Sequence, residues 1–240
     1  GVLTTTAATV FNGGFAANDG STITTGDNTA QLTLISTDAD ANDGPVLVLN
    51  RNSSSPADND KLGQIQFLGE DDASNSTIFG SIVNQIKDAS NGSEDGRMSF
   101  NLISAGSDKT FFNLTHDGTQ AEVVVNEDSI DMDFRVESNG NANMLFVDGG
   151  NNRVGIGTNS PSQQLHLSGS APIIRLTDTD TNAYGEISSS SSDGNLMFFA
   201  DQGNTQANTT MRFYVDTAER MRIDSSGNVM VGGTNTNPVG

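Results

Sequence analysis

The sequence predicts an all-β protein built from repeated units of short strands and tight turns, and three observations predict it. The first is a stretch that occurs twice. Asp148-Gly-Gly-Asn-Asn-Arg-Val-Gly-Ile-Gly-Thr158 returns in altered form as Asp224-Ser-Ser-Gly-Asn-Val-Met-Val-Gly-Gly-Thr234, with the same spacing from Asp to Thr. Each copy follows an alternating segment, Phe134-Arg-Val136 through Met144-Leu-Phe-Val147 and Phe213-Tyr-Val215 through Met221-Arg-Ile223. Each unit therefore reads as strand, tight turn, strand, with Asp-Gly-Gly-Asn and Ser-Gly-Asn supplying positive φ at the turn. The second observation is that short runs rich in β-formers recur along the chain. The third is that turn dipeptides separate those runs.

In chain order, the expected strands begin with Gln31-Leu-Thr-Leu-Ile35, Val46-Leu-Val-Leu49 and Gln64-Ile-Gln-Phe67. Met98-Ser-Phe-Asn-Leu102, Thr110-Phe-Phe-Asn-Leu114 and Glu122-Val-Val-Val125 follow, then the first signature unit. Leu165-His-Leu167, Pro172-Ile-Ile-Arg-Leu176 and Leu196-Met-Phe-Phe199 lead into the second. Asp19-Gly20, Asp43-Gly44, Asn91-Gly92, Asp95-Gly96, Asp117-Gly118, Asn139-Gly140 and Asp193-Gly194 punctuate them, dipeptides that accept turn conformations closed to most residues. One stretch is ambiguous: Phe79, Ile82, Val83 and Ile86 have the spacing of an amphipathic helix. Gly80 and the β-branched side chains weaken a helix, so a twisted strand with a bulge is expected there.

A second internal echo divides the chain. Leu32-Thr-Leu-Ile-Ser-Thr37-Asp-Ala-Asp-Ala-Asn42 matches Ile173-Ile-Arg-Leu-Thr177-Asp-Thr-Asp-Thr-Asn182. In the same order, Gly63-Gln-Ile-Gln matches Gly185-Glu-Ile-Ser, and Asp95-Gly-Arg-Met-Ser-Phe100 matches Asp193-Gly-Asn-Leu-Met-Phe198. The expected organisation is the end of a preceding β module over 1–29, an expanded module over 30–161 and a second module over 162–240.

Composition narrows the function. Thirty Asp and Glu against 11 Lys and Arg give a net charge of −19, which repels phosphate backbones and anionic head groups, so neither nucleic acid nor a membrane surface is an expected partner. No run approaches the length of a membrane-spanning helix. With no Cys, disulfides and thiolate metal sites are excluded.

The signature itself, Asn126-Glu-Asp-Ser-Ile-Asp-Met-Asp-Phe-Arg-Val-Glu-Ser-Asn-Gly-Asn and Glu219-Arg-Met-Arg-Ile-Asp-Ser-Ser-Gly-Asn resemble repeats in tail-fibre and tail-associated proteins of marine and cyanobacterial phages. The resemblance covers most of 19–238. It implies an elongated, homotrimeric β fibre carried on a virion, with chains intertwined or stacked. A thin ribbon of hairpins leaves an apolar face that neighbouring chains must close, which agrees with that implication.

Candidate chemistry is sparse. Asp38-x-Asp40-x-Asn42 and Asp178-x-Asp180-x-Asn182 begin like calcium loops, but the twelfth position from Asp38 is Leu49 and the sixth is Asp43, where an EF-hand needs Glu and Gly. Asx-rich turns are the preferred reading, and no metal and no cofactor is expected. His116 and His166 read as solvated strand positions, not members of a triad. Gly155-Ile-Gly157 lacks the third Gly and the helix of a dinucleotide fingerprint, and marks a close approach of backbones. Carboxylate runs such as Glu70-Asp71-Asp72 admit a polysaccharide-cleaving tailspike. The absence of Trp and the presence of only two Tyr speak against a sugar-stacking groove. Asn-x-Ser/Thr occurs at Asn52, Asn75, Asn91, Asn113 and Asn208, as this composition makes common.

The expectation is therefore a non-enzymatic structural protein that forms the shaft of a phage tail fibre and supports host attachment. Its partners would be itself as a homotrimer, other virion tail proteins and a host surface glycan or protein. An extracellular bacterial filament or surface adhesin subunit is the alternative. The residues singled out as the structural repeat signature are Asp148, Gly155, Gly157, Thr158, Asp224, Gly232 and Thr234.

Overall fold

The computed structural model describes residues 17, 20–116, 119–189 and 194–232. These contain no helix, and their regular structure is entirely β. The chain divides into two compact units, 1–52 and 53–240.

In the first unit the described residues form no strand. The strands expected over 31–35 and 46–49 are not formed: a strand exists only against a partner's N–H and C=O groups, and neither run has one among the described residues. Leu32, Leu34, Ile35, Val46, Leu47, Val48 and Leu49 are all exposed.

The second unit holds four sheets, whose strands are neighbours in sequence as well as in space. The first comprises β1 (Lys61–Glu70), β2 (Ser76–Asp88), β3 (Asp95–Ser104), β4 (Ser107–His116) and β5 (Ala121–Val125). The second comprises β6 (Phe134–Ser138), β7 (Asn141–Asp148), β8 (Arg153–Ile156) and β9 (Leu165–Leu167). The third is β10 (Ile173–Thr177), β11 (Tyr184–Ser188) and β12 (Met197–Ala200), and the fourth β13 (Met211–Val215), β14 (Ala218–Ile223) and β15 (Val229–Val231). Every pairing is antiparallel except β8 with β9.

The helix-spaced stretch is strand β2. Its helix-like spacing has two sources: a bulge at Phe79, which is left over where Phe67 pairs with Gly80 and Leu68 with Ile78, and apolar residues on both faces, since Ile82 and Ile86 lie on one and Val83 on the other. Leu62 and Lys87 are left over in the same way, and each extra residue changes which side chains share a face.

The two-residue period segregates the faces of the five-stranded sheet. Ile65, Ile82, Phe100, Phe112 and Val125 form one cross-strand row, in which the Phe100 and Phe112 rings meet edge to face at 5.7 Å. On the other face the corresponding row is Gln64, Val83, Ser99, Asn113 and Val124. Burial follows this second face: Ser81, Val83, Gln85, Ser99 and Asn113 are buried, while Ile65, Phe67, Met98, Phe100, Leu102 and Leu114 are exposed. The Ser99 hydroxyl donates to Asn113 Oδ1 at 2.9 Å, so the most deeply buried polar group in this sheet has a partner.

Candidate functional site

The two signature copies build similar hairpins by different means. In the first, β7 and β8 pair from Asp148 opposite Arg153, leaving a four-residue loop in which Asn152 takes φ 56°. The glycines at 149 and 150 are not in the left-handed region, contrary to the expectation from Asp-Gly-Gly-Asn. They allow close approach instead: a Cβ on Gly149 would lie 2.2 Å from the Met132 carbonyl oxygen, and one on Gly150 2.6 Å from Asp131 Oδ1. In the second copy, the Asp224 N–H donates to the Asn228 carbonyl, closing a three-residue loop in which Gly227 takes φ 84°.

That one-residue difference shifts the following strand. Gly157 (φ 80°) ends β8 and donates its N–H to Asn143 O; Gly232 (φ 81°) ends β15 and donates to Arg220 O. Gly232 is thus the structural counterpart of Gly157, although equal spacing from Asp would align Gly157 with the next glycine. Thr234 lies outside the described residues.

Beyond Gly157 the chain returns to lay β9 parallel to β8, a short route for a parallel pair. The Thr158 hydroxyl accepts from Ser160 N, Arg153 Nη1 donates to Pro161 O at 2.8 Å, and Val154 N donates to Gln164 O. A Cβ on Gly155 would lie 2.3 Å from Thr158 O and one on Gly157 2.2 Å from Ser168 O. The close approach expected at these glycines is present, and it is made by this chain's own crossover.

Sequence inspection missed a recurrent turn. At 71–75, 126–130, 201–205 and 224–228, an Asp or Asn side chain accepts the N–H of the residue four positions on. The residue between them, Ser74, Ser129, Asn204 or Gly227, is left-handed and donates its N–H back to the first carbonyl. In two of the four turns Asn75 and Asn228 add side-chain bonds to the carboxylate. These bonds favour the ionised acid. Asp71 is held below its ordinary value chiefly by the Asn75 backbone, Asp224 by the Asn228 side chain and Asp201 by the Gln206 and Thr205 backbone. Asp148 is lowered through the Asn151 side chain in the longer turn. The readable signal is Asx followed three residues later by Ser, Asn or Gly.

The carboxylates offered as calcium ligands do similar work. Asp38 Oδ1 accepts Asp40 N, Asp40 accepts Asn42 N, and Asp178 Oδ1 accepts Asp180 N at 2.9 Å. No group of three or more His, Asp or Glu side chains converges among the described residues. His116 Nδ1 lies 2.9 Å from Asp95 Oδ2, a cross-strand contact that sequence reading did not foresee, and His166 Nδ1 accepts Ser162 N. Asn113, within a glycosylation sequon, is 1% exposed and faces into the sheet.

What remains exposed is apolar. In the third sheet Ile174, Leu176, Ile187 and Phe198 share an open face, while Glu186 and Ser188 on the other side are buried; Glu186 Oε1 accepts from Arg175 Nε at 2.6 Å. In the fourth, Phe213, Val229 and Val231 are open, while Met230 is buried opposite Arg222, whose guanidinium pairs with Glu219. Phe134, Val147 and Leu165 repeat the arrangement in the second sheet. Among the described residues the buried apolar side chains are few: Val83, Phe146, Met230 and Pro161.

Fold and surface together define a class: an all-β chain of small sheets, each with an open apolar face opposite the side that holds its buried residues. No protein-family model and no curated protein matches the chain.

Proposed function

We propose that the chain is a structural subunit of a fibre, forming the shaft of a phage tail fibre that supports host attachment, and that it works as a homotrimer. The observation that carries this reading is the open apolar face repeated in all four sheets. Fully burying one large apolar side chain is worth about 1.5–3 kcal/mol, so rows of such side chains drive association once copies supply the cover. The assignment to a phage particle rests on the resemblance of the signature repeats, and other virion tail proteins and a host surface molecule are partners in the same proposal. The virion is the location this reading gives. No helix of the described residues is long and apolar enough to cross a membrane.

A non-catalytic role is supported by how the acids are used. The cleft beside β10 and β12, about 620 Å³, is lined by Asp178, Tyr184 and Asp201 among others. Asp201 gives one oxygen to Thr205 N and the other to Gln206 N, and Arg175 stacks 4.1 Å from the centre of the Tyr184 ring. The ring that could stack a sugar already carries a guanidinium, and the carboxylate beside it closes a turn.

Light scattering on the purified protein tests the proposal. The expected mass is three times the 25.1 kDa of one chain. A monomer of 25.1 kDa with full β circular dichroism would overturn it. The gene neighbourhood separates a phage shaft from an extracellular bacterial filament or adhesin, which the same open faces would serve.

A further inference from the structure

We propose that the run from Leu32 to Leu49 is a β-hairpin that closes only when a second copy of the chain lies against it, an inference that rests on the self-association proposed above. The repeat carries the first part. Thr37-Asp-x-Asp-x-Asn42 matches Thr177-Asp-x-Asp-x-Asn182 residue for residue, and the latter joins β10 to β11. There Asp178 N donates to Ala183 O, Asn182 is left-handed at φ 57°, and Arg175 stands opposite Glu186 with Ile174 opposite Ile187. Transferred to the first copy, that register puts Ile35 opposite Val46 and Leu34 opposite Leu47. Part of the turn is already made, since Asp40 N donates to Asp38 Oδ1 as Asp180 N does to Asp178 Oδ1.

The differences between the copies explain why the first stays open alone. The position of Gly185, next to the loop in β11, is taken by Pro45, which has no N–H to give the opposite strand. β11 is flanked on its far side by β12, whereas the first unit has no strand among its described residues to flank Val46 through Leu49. A lone two-stranded hairpin is marginal in water.

The kind of partner follows from the side chains. In this register Leu32, Leu34, Leu47 and Leu49 share one face and Ile35, Val46 and Val48 the other. Both faces are thus apolar, and the acids are confined to the loop. Such a hairpin needs uncharged apolar cover on both sides and a strand at its edge. A second copy of the same segment offers an apolar face or a strand edge, a third copy covers the face left open, and the carboxylates of the loops stay out of the contact.

The absence of Cys makes the test clean. Ile35→Cys with Val46→Cys places thiols at directly opposed positions, within the reach of a disulfide; Ile35→Cys with Leu47→Cys places them on opposite faces. In the assembled protein the in-register pair should oxidise within one chain about tenfold faster than the other, and the preference should vanish when dilution or mild urea yields monomers. Mass is read on the same samples, so a chain that never associates refutes the self-association reading directly. Equal rates in a confirmed oligomer overturn the hairpin alone, as does a bond formed chiefly between chains. A register preference that persists in monomers overturns the requirement for a second copy.

Discussion

The repeats that begin at Asp148 and Asp224 have the same spacing from Asp to Thr, yet their turns hold four residues and three. Between Asp and the glycine that ends the next strand, the first turn holds one residue more, because Asn152 takes the left-handed position in one and Gly227, a place earlier in the repeat, takes it in the other. A repeat thus fixes where a hairpin starts, through the Asp that caps it. Where the hairpin ends depends on which residue accepts positive φ.

The largest break in that comparison is expected at the strand-ending glycines. Gly157→Val combines a left-handed β-branched residue with a Cβ placed on Ser168 O and should cost about 3 kcal/mol, seen as loss of cooperative melting by circular dichroism. Gly232→Val shares the backbone penalty but meets no atom of the described residues within 4 Å, so about 1–2 kcal/mol is expected. Equal losses would show that the crossover does not crowd Gly157.

Next come the caps. Asp224 accepts the N–H groups of Ser226 and Asn228 at 2.9 Å, whereas Asp148 accepts that of Asn151 at 2.8 Å with the Gly150 N–H contributing least. Asp224→Ala should therefore lower the melting temperature more than Asp148→Ala, and the reverse order would sink the cap account. Acid sharpens the same point. Both carboxyls are depressed in the folded state, so their contribution is complete above the ordinary Asp value of about 4 and disappears as pH falls through it to the lower folded values. The gap between parent and Asp224→Ala should close over that fall in pH; a gap that stays constant would mean that ionisation is irrelevant to the turn.

The smallest effects belong to the left-handed residues. Gly227→Ala should cost about 1 kcal/mol, while Asn152→Gly should be close to neutral in urea titration because Asn already tolerates that conformation.

Apart from β11, whose Tyr184–Ser188 run was not read as a strand, the strands were legible because alternation and turn dipeptides are local signals; Asp95-Gly96 misled, since it opens β3 instead of forming a turn. Phe79, Ile82, Val83 and Ile86 show the limit: one bulged residue, together with an apolar residue on each face at Ile82 and Val83, imitates a helical spacing. The runs at 31–35 and 46–49 carry the same alternation and form no strand, because alternation records which side chains seek cover and not whether a partner strand is at hand. The buried Ser99 and Asn113 were illegible for the converse reason, since their hydrogen bond forms between strands and leaves no trace of period or composition. Of the signature residues, Gly155 and Gly157 were readable as points of close approach, but the carbonyls they approach come from Thr158 and Ser168, which spacing alone does not identify.

Sequential strand order has a kinetic meaning. Every pairing in the four sheets joins strands adjacent along the chain, through loops whose closure costs little entropy. Each sheet can form as soon as its own residues have left the ribosome, without waiting for distant segments, and low contact order makes that step fast. The slow step is then bimolecular: if copies must meet to cover the open faces, the appearance of the mature protein after dilution from denaturant should depend on chain concentration, while the recovery of β circular dichroism should not.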